Sequence, residues 1–153
     1  MTRDHEDRHH LLAAGLLAVA ALARLLPHPA NITPLIAIAL FGGAVLPGGL
    51  GLAVPLLAIV ASDLALGLHD VVAFTLCSAV LVAIVGRLMV PRALRSGSPS
   101  ATSAFALVPA SLSGSTLFFL ITNFGVWLAG DGGTIYPRTL HGLRDCYLAA
   151  LPF

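Results

Sequence analysis

Apolar residues along the chain form six runs separated by short polar breaks. The runs cover residues 11–26, 34–46, 50–66, 71–90 and 104–129, and a sixth begins near Leu143 and ends at Phe153. A helix needs about 20 consecutive apolar residues to cross the hydrocarbon core of a bilayer. The pattern therefore predicts an all-α integral membrane protein, with residues 1–10 as a charged tail and residues 11–153 as a single transmembrane helical domain.

The breaks between the runs are rich in Pro and Gly and predict turns. Pro removes a backbone hydrogen-bond donor, and Gly permits tight reversals of the chain. Backbone groups that open at such turns need a polar or protein-lined setting, so the breaks are expected at helix ends. They occupy residues 27–29, 47–49, 67–70, 92–100 and 130–137.

The run at residues 34–46 permits two interpretations. At about 1.5 Å per residue it reaches two-thirds of the ~30 Å core, so it is either a short crossing or a re-entrant segment. The densest basic cluster, at residues 87–95, is expected on the cytoplasmic side because positively charged loops stay there. Six crossings put Arg3 and Arg8 on that side too, whereas five would separate the two basic regions. The charges therefore favour six spans with a cytoplasmic N-terminus.

Composition supports a membrane protein and excludes other classes. Hydrophobic residues make up 58% of the 153 positions and charged residues 10%, with a mean hydropathy of +0.94, which leaves too few charges for a water-soluble shell. A net charge of +1 gives no field that would gather nucleic acid. No common enzymatic motif is present, so no enzymatic activity is predicted. The first run would also suit a secretory signal, but Asp4, Glu6 and Asp7 make a poor basic leader.

The six-span topology places the breaks after the first, third and fifth helices on the extracytoplasmic side. These breaks and the helix ends beside them carry most of the specific polar side chains outside the N-terminus. Polarity concentrated at one end of a helical bundle predicts a ligand pocket that opens outward. The candidate ligand-binding residues are His28, Asn31, Asp63, His69, Asn123, Trp127 and Tyr136.

Each of these side chains also has a structural interpretation. Asp63 could be a helix-end carboxylate at headgroup level, and Asn123 could bond to another helix rather than to a ligand. Trp127 and Tyr136 suit the aromatic belt of a membrane protein. The outer histidines, which are His28, His69 and His141, could form a metal site, although none shows the i, i+4 spacing of a strong metal motif.

The two cysteines, Cys77 and Cys146, both lie in apolar runs. Free cysteine commonly behaves as a small buried hydrophobe, and a disulfide between the two remains open because similar depths are predicted for both. Ala14 and Ala18 form a small-xxx-small face on the first helix, which favours close approach of another helix.

Several ordered motifs together resemble a known family. They lie at residues 26–34, 62–69, 122–127, 136–140 and 146–153. The chain resembles a small bacterial membrane family related to the S components of energy-coupling-factor (ECF) transporters, closest to the BtuM-type vitamin B12 (cobalamin) transporters. The resemblance implies a six-helix S-component-like bundle in the bacterial cytoplasmic (inner) membrane that captures a vitamin from outside, with no intrinsic cofactor.

The resemblance also implies roles for individual residues. Cys77 falls where the BtuM type carries the cysteine that ligates the cobalt of cobalamin, and His28 and Asp63 match polar positions near that pocket. The protein would either work alone or dock on an ECF ATP-driven module through the face around Ala14 and Ala18. Relatives continue past the motif at residues 149–153, so the last helix is expected to be shortened here.

The sequence thus predicts a membrane-embedded component for vitamin uptake, with cobalamin as the suggested ligand. Two alternatives remain open. One is a structural or assembly subunit whose outer loops bind another protein, and the other is a transition-metal transporter that uses His28, His69 and His141.

Overall fold

The computed structural model describes residues 2–25, 34–90, 105 and 107–152, and this part of the chain is helical and without strands. The helices are α1 (Thr2–Leu25), α2 (Leu35–Val45), α3 (Leu50–Leu66), α4 (Val72–Met89), α5 (Leu107–Ala129) and α6 (Leu140–Ala150), with a short 3-10 turn at Gly130–Gly133 between the last two. The prediction of an all-α fold is confirmed.

Among the described residues, three helical stretches are long and apolar enough to cross a bilayer. They are Glu6–Leu25, Val72–Met89 and Leu107–Gly133, whereas α2 and α3 are shorter apolar helices. Residues 2–10, expected to form a separate tail, continue α1, because this stretch contains no Pro or Gly and includes good helix formers such as Glu6 and Arg8. Helix α6 begins at Leu140 instead of Leu143, since the side chain of Thr139 caps its N-terminus by accepting a hydrogen bond from the Gly142 amide.

The short helix α2 lies at the centre of the bundle. It packs mainly against α4 and α3, and also against α5 and α1. Most of its residues are buried, and Phe41, at 47%, is its one large exposed side chain. A helix of this length, roughly 17 Å at about 1.5 Å per residue, fills the interior without reaching both faces of a bilayer.

Glycines set the distance between α2 and α4. A Cβ atom on Gly43 would lie 1.9 Å from the carbonyl oxygen of Ala83, and one on Gly86 would lie 2.0 Å from that of Leu40. No side chain fits at such separations, so the two backbones touch at reciprocal glycine positions. Contacts of this kind are frequent between membrane helices, where small residues allow close packing.

Polar contacts join the loops at one end of the bundle. Arg24, near the end of α1, forms an ion pair with Asp63, near the end of α3. The amide of Gly132, after α5, donates to Asp70 before α4 at 3.1 Å. At the opposite end, Arg87 on α4 donates to the carbonyl of Gly48 before α3 at 2.9 Å. Successive helices therefore end at alternate ends of the bundle. The C-terminal ends of α1, α3 and α5, with most of the polar side chains beside them, lie together at one end. We call this end the polar end.

Candidate functional site

A cavity of about 670 Å³ extends from the polar end of the bundle into its interior. Its volume lies in the range of pockets that enclose small organic molecules. Its walls come from the end of α1, the start of α2, the first turn of α4 and the connection before it, the middle and C-terminal part of α5, the connection after α5, and the second half of α6. The lining residues are Arg24, Leu35, Ile36, His69, Thr75, Ser115, Phe118, Phe119, Thr122, Asn123, Val126, Tyr136, Cys146, Ala149 and Ala150.

Arg24 is fixed at one side of this cavity by two partners on α3. Its Nε atom donates to the hydroxyl of Ser62, and its Nη2 atom donates to Oδ1 of Asp63. The Ser62 hydroxyl in turn donates to the carbonyl oxygens of Ala58 and Ile59, at 2.8 and 2.9 Å. The guanidinium is therefore held in one orientation by groups that are themselves buried.

Asp63 lies behind Arg24, outside the set of lining residues. Its side chain is 2% exposed, and its second oxygen, Oδ2, has no hydrogen-bond partner in the part of the chain that the structure describes. That oxygen is 3.6 Å from Nδ1 of His69, whose half-exposed ring lines the cavity. A small movement of the imidazole would bring the two within hydrogen-bond distance. Arg24, Asp63 and His69 thus form one connected polar group beside the cavity.

The wall between α5 and α6 is held by side-chain bonds to the α5 backbone. The Cys146 thiol contacts the carbonyl of Asn123 at 3.3 Å, and the Tyr147 hydroxyl donates to that of Leu120 at 2.7 Å. The Asn123 amide donates to Phe119 within its own helix at 2.8 Å. The donor group of Asn123 is thereby satisfied within its own helix, and not by a neighbouring helix.

The connection between α5 and α6 holds Tyr136 at the cavity. The indole of Trp127 donates to the carbonyl of Pro137 at 2.9 Å, which fixes the chain beside Tyr136. Gly142 packs so closely on Pro137 that a Cβ there would lie 2.0 Å from the Pro137 oxygen. Trp127 itself does not line the cavity, and its ring packs against that of Phe124, with ring centroids 5.4 Å apart.

The structure brings some of the predicted site residues together and leaves others apart. His69, Asn123 and Tyr136 line the cavity, and Asp63 acts on it through Arg24. Cys77 lies on an exposed face of α4 and is absent from the lining. Helix α4 turns its Thr75, Ser78 and Ala79 inward, which leaves Cys77 on the opposite side. His28 and Asn31 lie outside the described residues.

The other predicted features have mixed outcomes. Ala14 and Ala18 are exposed on α1, so the face suggested for docking is uncovered. Both cysteines are free, with Cys77 exposed and Cys146 buried, so the disulfide that the sequence left open does not form. Within residues 2–25, 34–90, 105 and 107–152, no three His, Cys, Asp or Glu side chains are grouped as a metal site. His141 instead pairs with Asp145 at 2.9 Å on the exposed side of α6.

Sequence reasoning missed Arg24 and the cavity position of Cys146. Arg24 carried a usable signal, because it is a basic residue near the end of an apolar run that is expected to lie outside, against the positive-inside rule. An unpaired Arg there and an Asp at the same depth on a neighbouring helix suggest an ion pair. Nothing in the sequence distinguishes Cys146 from Cys77, since both are single cysteines in apolar helices.

Comparison with known proteins gives a family and no function. Residues 4–153 match DUF6580, a family of unknown function. No curated protein and no solved structure shows a significant similarity to the chain. The likeness to S components accordingly remains a hypothesis drawn from the motifs. Because the match extends over nearly the whole sequence, the chain belongs to the DUF6580 family.

Proposed function

We propose that this protein is a membrane-embedded capture component that takes a vitamin-sized organic molecule into the cavity at its polar end. The cavity is the observation that carries the proposal. It combines apolar and aromatic walls with a few fixed polar groups, which is the usual composition of a small-molecule site. Capture of this kind requires no chemical step, and energy for transport would come from a partner.

The exposed surface supports a location in the membrane. Large apolar side chains project from α1, α3, α4 and α5, and several are more than half exposed. Examples are Leu11, Leu64, Leu88 and Leu112, at 73%, 72%, 76% and 65%. Apolar surface on every side of a bundle suits contact with lipid and is unfavourable in water. In this proposal all six helices lie within the membrane, with most of α2 covered by its neighbours.

The distribution of polar groups supports the orientation. We place the polar end on the extracytoplasmic side and the Arg87 end in the cytoplasm of a bacterial inner membrane, in accordance with the positive-inside rule. The exposed Ala14 and Ala18 would then be available to an ATP-driven ECF module, as the resemblance implies. This arrangement presents the cavity to molecules arriving from outside.

Cobalamin is the ligand that the resemblance suggests. The two cysteines differ in their relation to such a ligand, because Cys146 lines the cavity whereas Cys77 is on the exposed face of α4. The thiol of Cys146 contacts the Asn123 carbonyl, an interaction that uses its proton. Because neither thiol is both in the cavity and free to bind cobalt, cobalamin is one of several vitamins to be tested as the ligand.

Native mass spectrometry of the full chain in lipid nanodiscs tests the proposal. The protein is incubated with a mixture of water-soluble vitamins that includes aquocobalamin, and retained masses are identified. We expect one component to be retained by wild type and lost in Ser115→Trp, which fills the cavity from α5. The matched control is Ser113→Trp, because Ser113 is exposed on the same helix and does not line the cavity.

Two results would contradict capture. Retention of no component by wild type would contradict the proposed function, and equal retention by Ser115→Trp would place binding elsewhere.

A stable protein partner that copurifies in the absence of any bound small molecule would favour the alternative of a structural or assembly subunit. Bound transition metal that is lost on replacement of His28, His69 and His141 would favour metal transport.

A further inference from the structure

The charge on the cavity wall is one-sided. Arg24 is the only Arg or Lys among the described lining residues, and none of these residues is Asp or Glu. Asp63 balances the charge of Arg24 but is 2% exposed and lies on the far side of the guanidinium. The pair therefore presents its positive end to the cavity. In a site of low dielectric constant such an arrangement attracts anions more strongly than it would in water.

One edge of the Arg24 guanidinium is free for a ligand. The group has five N–H donors in a plane, and Nε and one N–H of Nη2 are used by Ser62 and Asp63. The edge formed by Nη1 and the second N–H of Nη2 has no other partner among the residues that the structure describes. Two parallel N–H groups at this edge match the two oxygens of a carboxylate.

The free edge is also held in place before a ligand arrives. Ser62 and Asp63 are 1% and 2% exposed, and Ser62 is itself anchored to the α3 backbone. These two residues act as positioning residues for Arg24. A preorganised donor pair loses little conformational entropy on binding, so more of the interaction energy appears as affinity.

The remaining walls suit a flat apolar body. Phe118, Phe119 and Tyr136 supply aromatic surface, and Leu35 and Val126 supply aliphatic surface. We infer that the cavity selects organic acids, in which a carboxylate binds the free edge of Arg24 and a flat apolar or aromatic portion lies against these side chains. The inference rests on the proposed function and specifies the ligand class of that same cavity.

Binding of 2-naphthoate to the full chain in nanodiscs tests the inference, with uncharged 2-naphthamide as the matched probe. Isothermal titration at neutral pH gives the dissociation constant for each. We expect the carboxylate to bind about tenfold more tightly or better, because charge-assisted hydrogen bonds to Arg are the stronger kind. Equal or tighter binding of the amide would overturn the inference.

Variants locate the interaction. Arg24→Gln combined with Asp63→Asn keeps an uncharged hydrogen-bonding pair, so folding is preserved while the cationic edge is removed. We expect this double variant to lose the preference for 2-naphthoate, and Arg24→Lys to lose most of it because ammonium cannot bind two oxygens side by side. Arg144→Gln, which removes an exposed arginine of α6 outside the cavity, should retain the preference.

The outcomes separate this inference from the proposed function. An undiminished preference for 2-naphthoate in the double variant would overturn the role of Arg24. If the amide binds at least as tightly as 2-naphthoate and Ser115→Trp abolishes that binding, capture stands and the acid class is wrong. If no probe and no vitamin binds to wild type, both proposals fail.

Discussion

Arg24 and Asp63 form an ion pair that joins the ends of α1 and α3, and the two side chains are 17% and 2% exposed. Because the carboxylate is withdrawn from solvent, it depends on this partner for compensation of its charge. The pair closes α1 against α3 beside the cavity and at the same time orients the guanidinium. Stability and ligand recognition are therefore connected at one position.

Removal of one member of this pair should be more damaging than removal of both charges. Arg24→Gln leaves the buried Asp63 carboxylate uncompensated, and we expect a loss of about 3 kcal/mol or more in the free energy of unfolding. The double variant Arg24→Gln/Asp63→Asn should recover a large part of that loss. Thermal unfolding in one detergent, followed for wild type, both single variants and the double variant, gives the coupling energy.

Additive losses would contradict this account of the pair. If the double variant is destabilised by the sum of the single effects, the two side chains do not interact in the folded protein. Arg144→Gln serves as the control for removal of an arginine, since it is exposed on α6.

The contact between α2 and α4 predicts strong sensitivity at Gly43. Gly43→Ala would place a methyl group 1.9 Å from the Ala83 oxygen, so the helices must separate, at a cost of about 1–3 kcal/mol or more for overpacking. Gly15→Ala is the matched control, because nothing lies within 4 Å of a Cβ there. Thermal midpoints of purified variants should show Gly43→Ala far below wild type and Gly15→Ala near it. Equal midpoints for the two variants would contradict the close crossing.

Much of this fold follows from the hydrophobic pattern. The apolar runs predict the helices closely, because Pro and Gly end them at 47–49 and 67–70. Helix α1 begins before the apolar run at residue 11, since charged residues of good helix propensity continue a helix beyond its apolar portion. The central position of α2 could not be predicted, because an all-apolar segment gives no preferred face from which its neighbours can be inferred.

The candidate site was harder to predict than the fold. His69, Asn123 and Tyr136, which the sequence groups at one end of the bundle, line one cavity. The direction in which Cys77 points depends on the rotation of α4 about its axis. Glycine contacts at Gly86 and small buried residues such as Ser78 and Ala79 set that rotation, and the sequence alone does not reveal which small residues are in contact.

The two cysteines should differ in their effect on ligand binding. Cys77→Ala is expected to leave ligand retention unchanged, because Cys77 is exposed and does not line the cavity. Cys146→Leu should weaken retention, since the larger side chain enters the cavity and removes the contact with Asn123. Native mass spectrometry of each variant, incubated with the ligand that wild type retains, measures both effects. For aquocobalamin, an altered visible spectrum in Cys77→Ala would restore this residue as a cobalt ligand and contradict the placement of the site.

The account depends most on a membrane-embedded cavity whose polar end faces outward, and labelling of single cysteines in intact cells tests this directly. In a background with Cys77 and Cys146 replaced by Ala, Asp131→Cys marks the polar end and Gly49→Cys the opposite end, and both positions are exposed. A membrane-impermeant maleimide should label Asp131→Cys in intact cells and Gly49→Cys only after lysis. Labelling of Gly49→Cys in intact cells with protection of Asp131→Cys would contradict the proposed orientation, and labelling of both only after lysis would contradict exposure of the cavity to the outside.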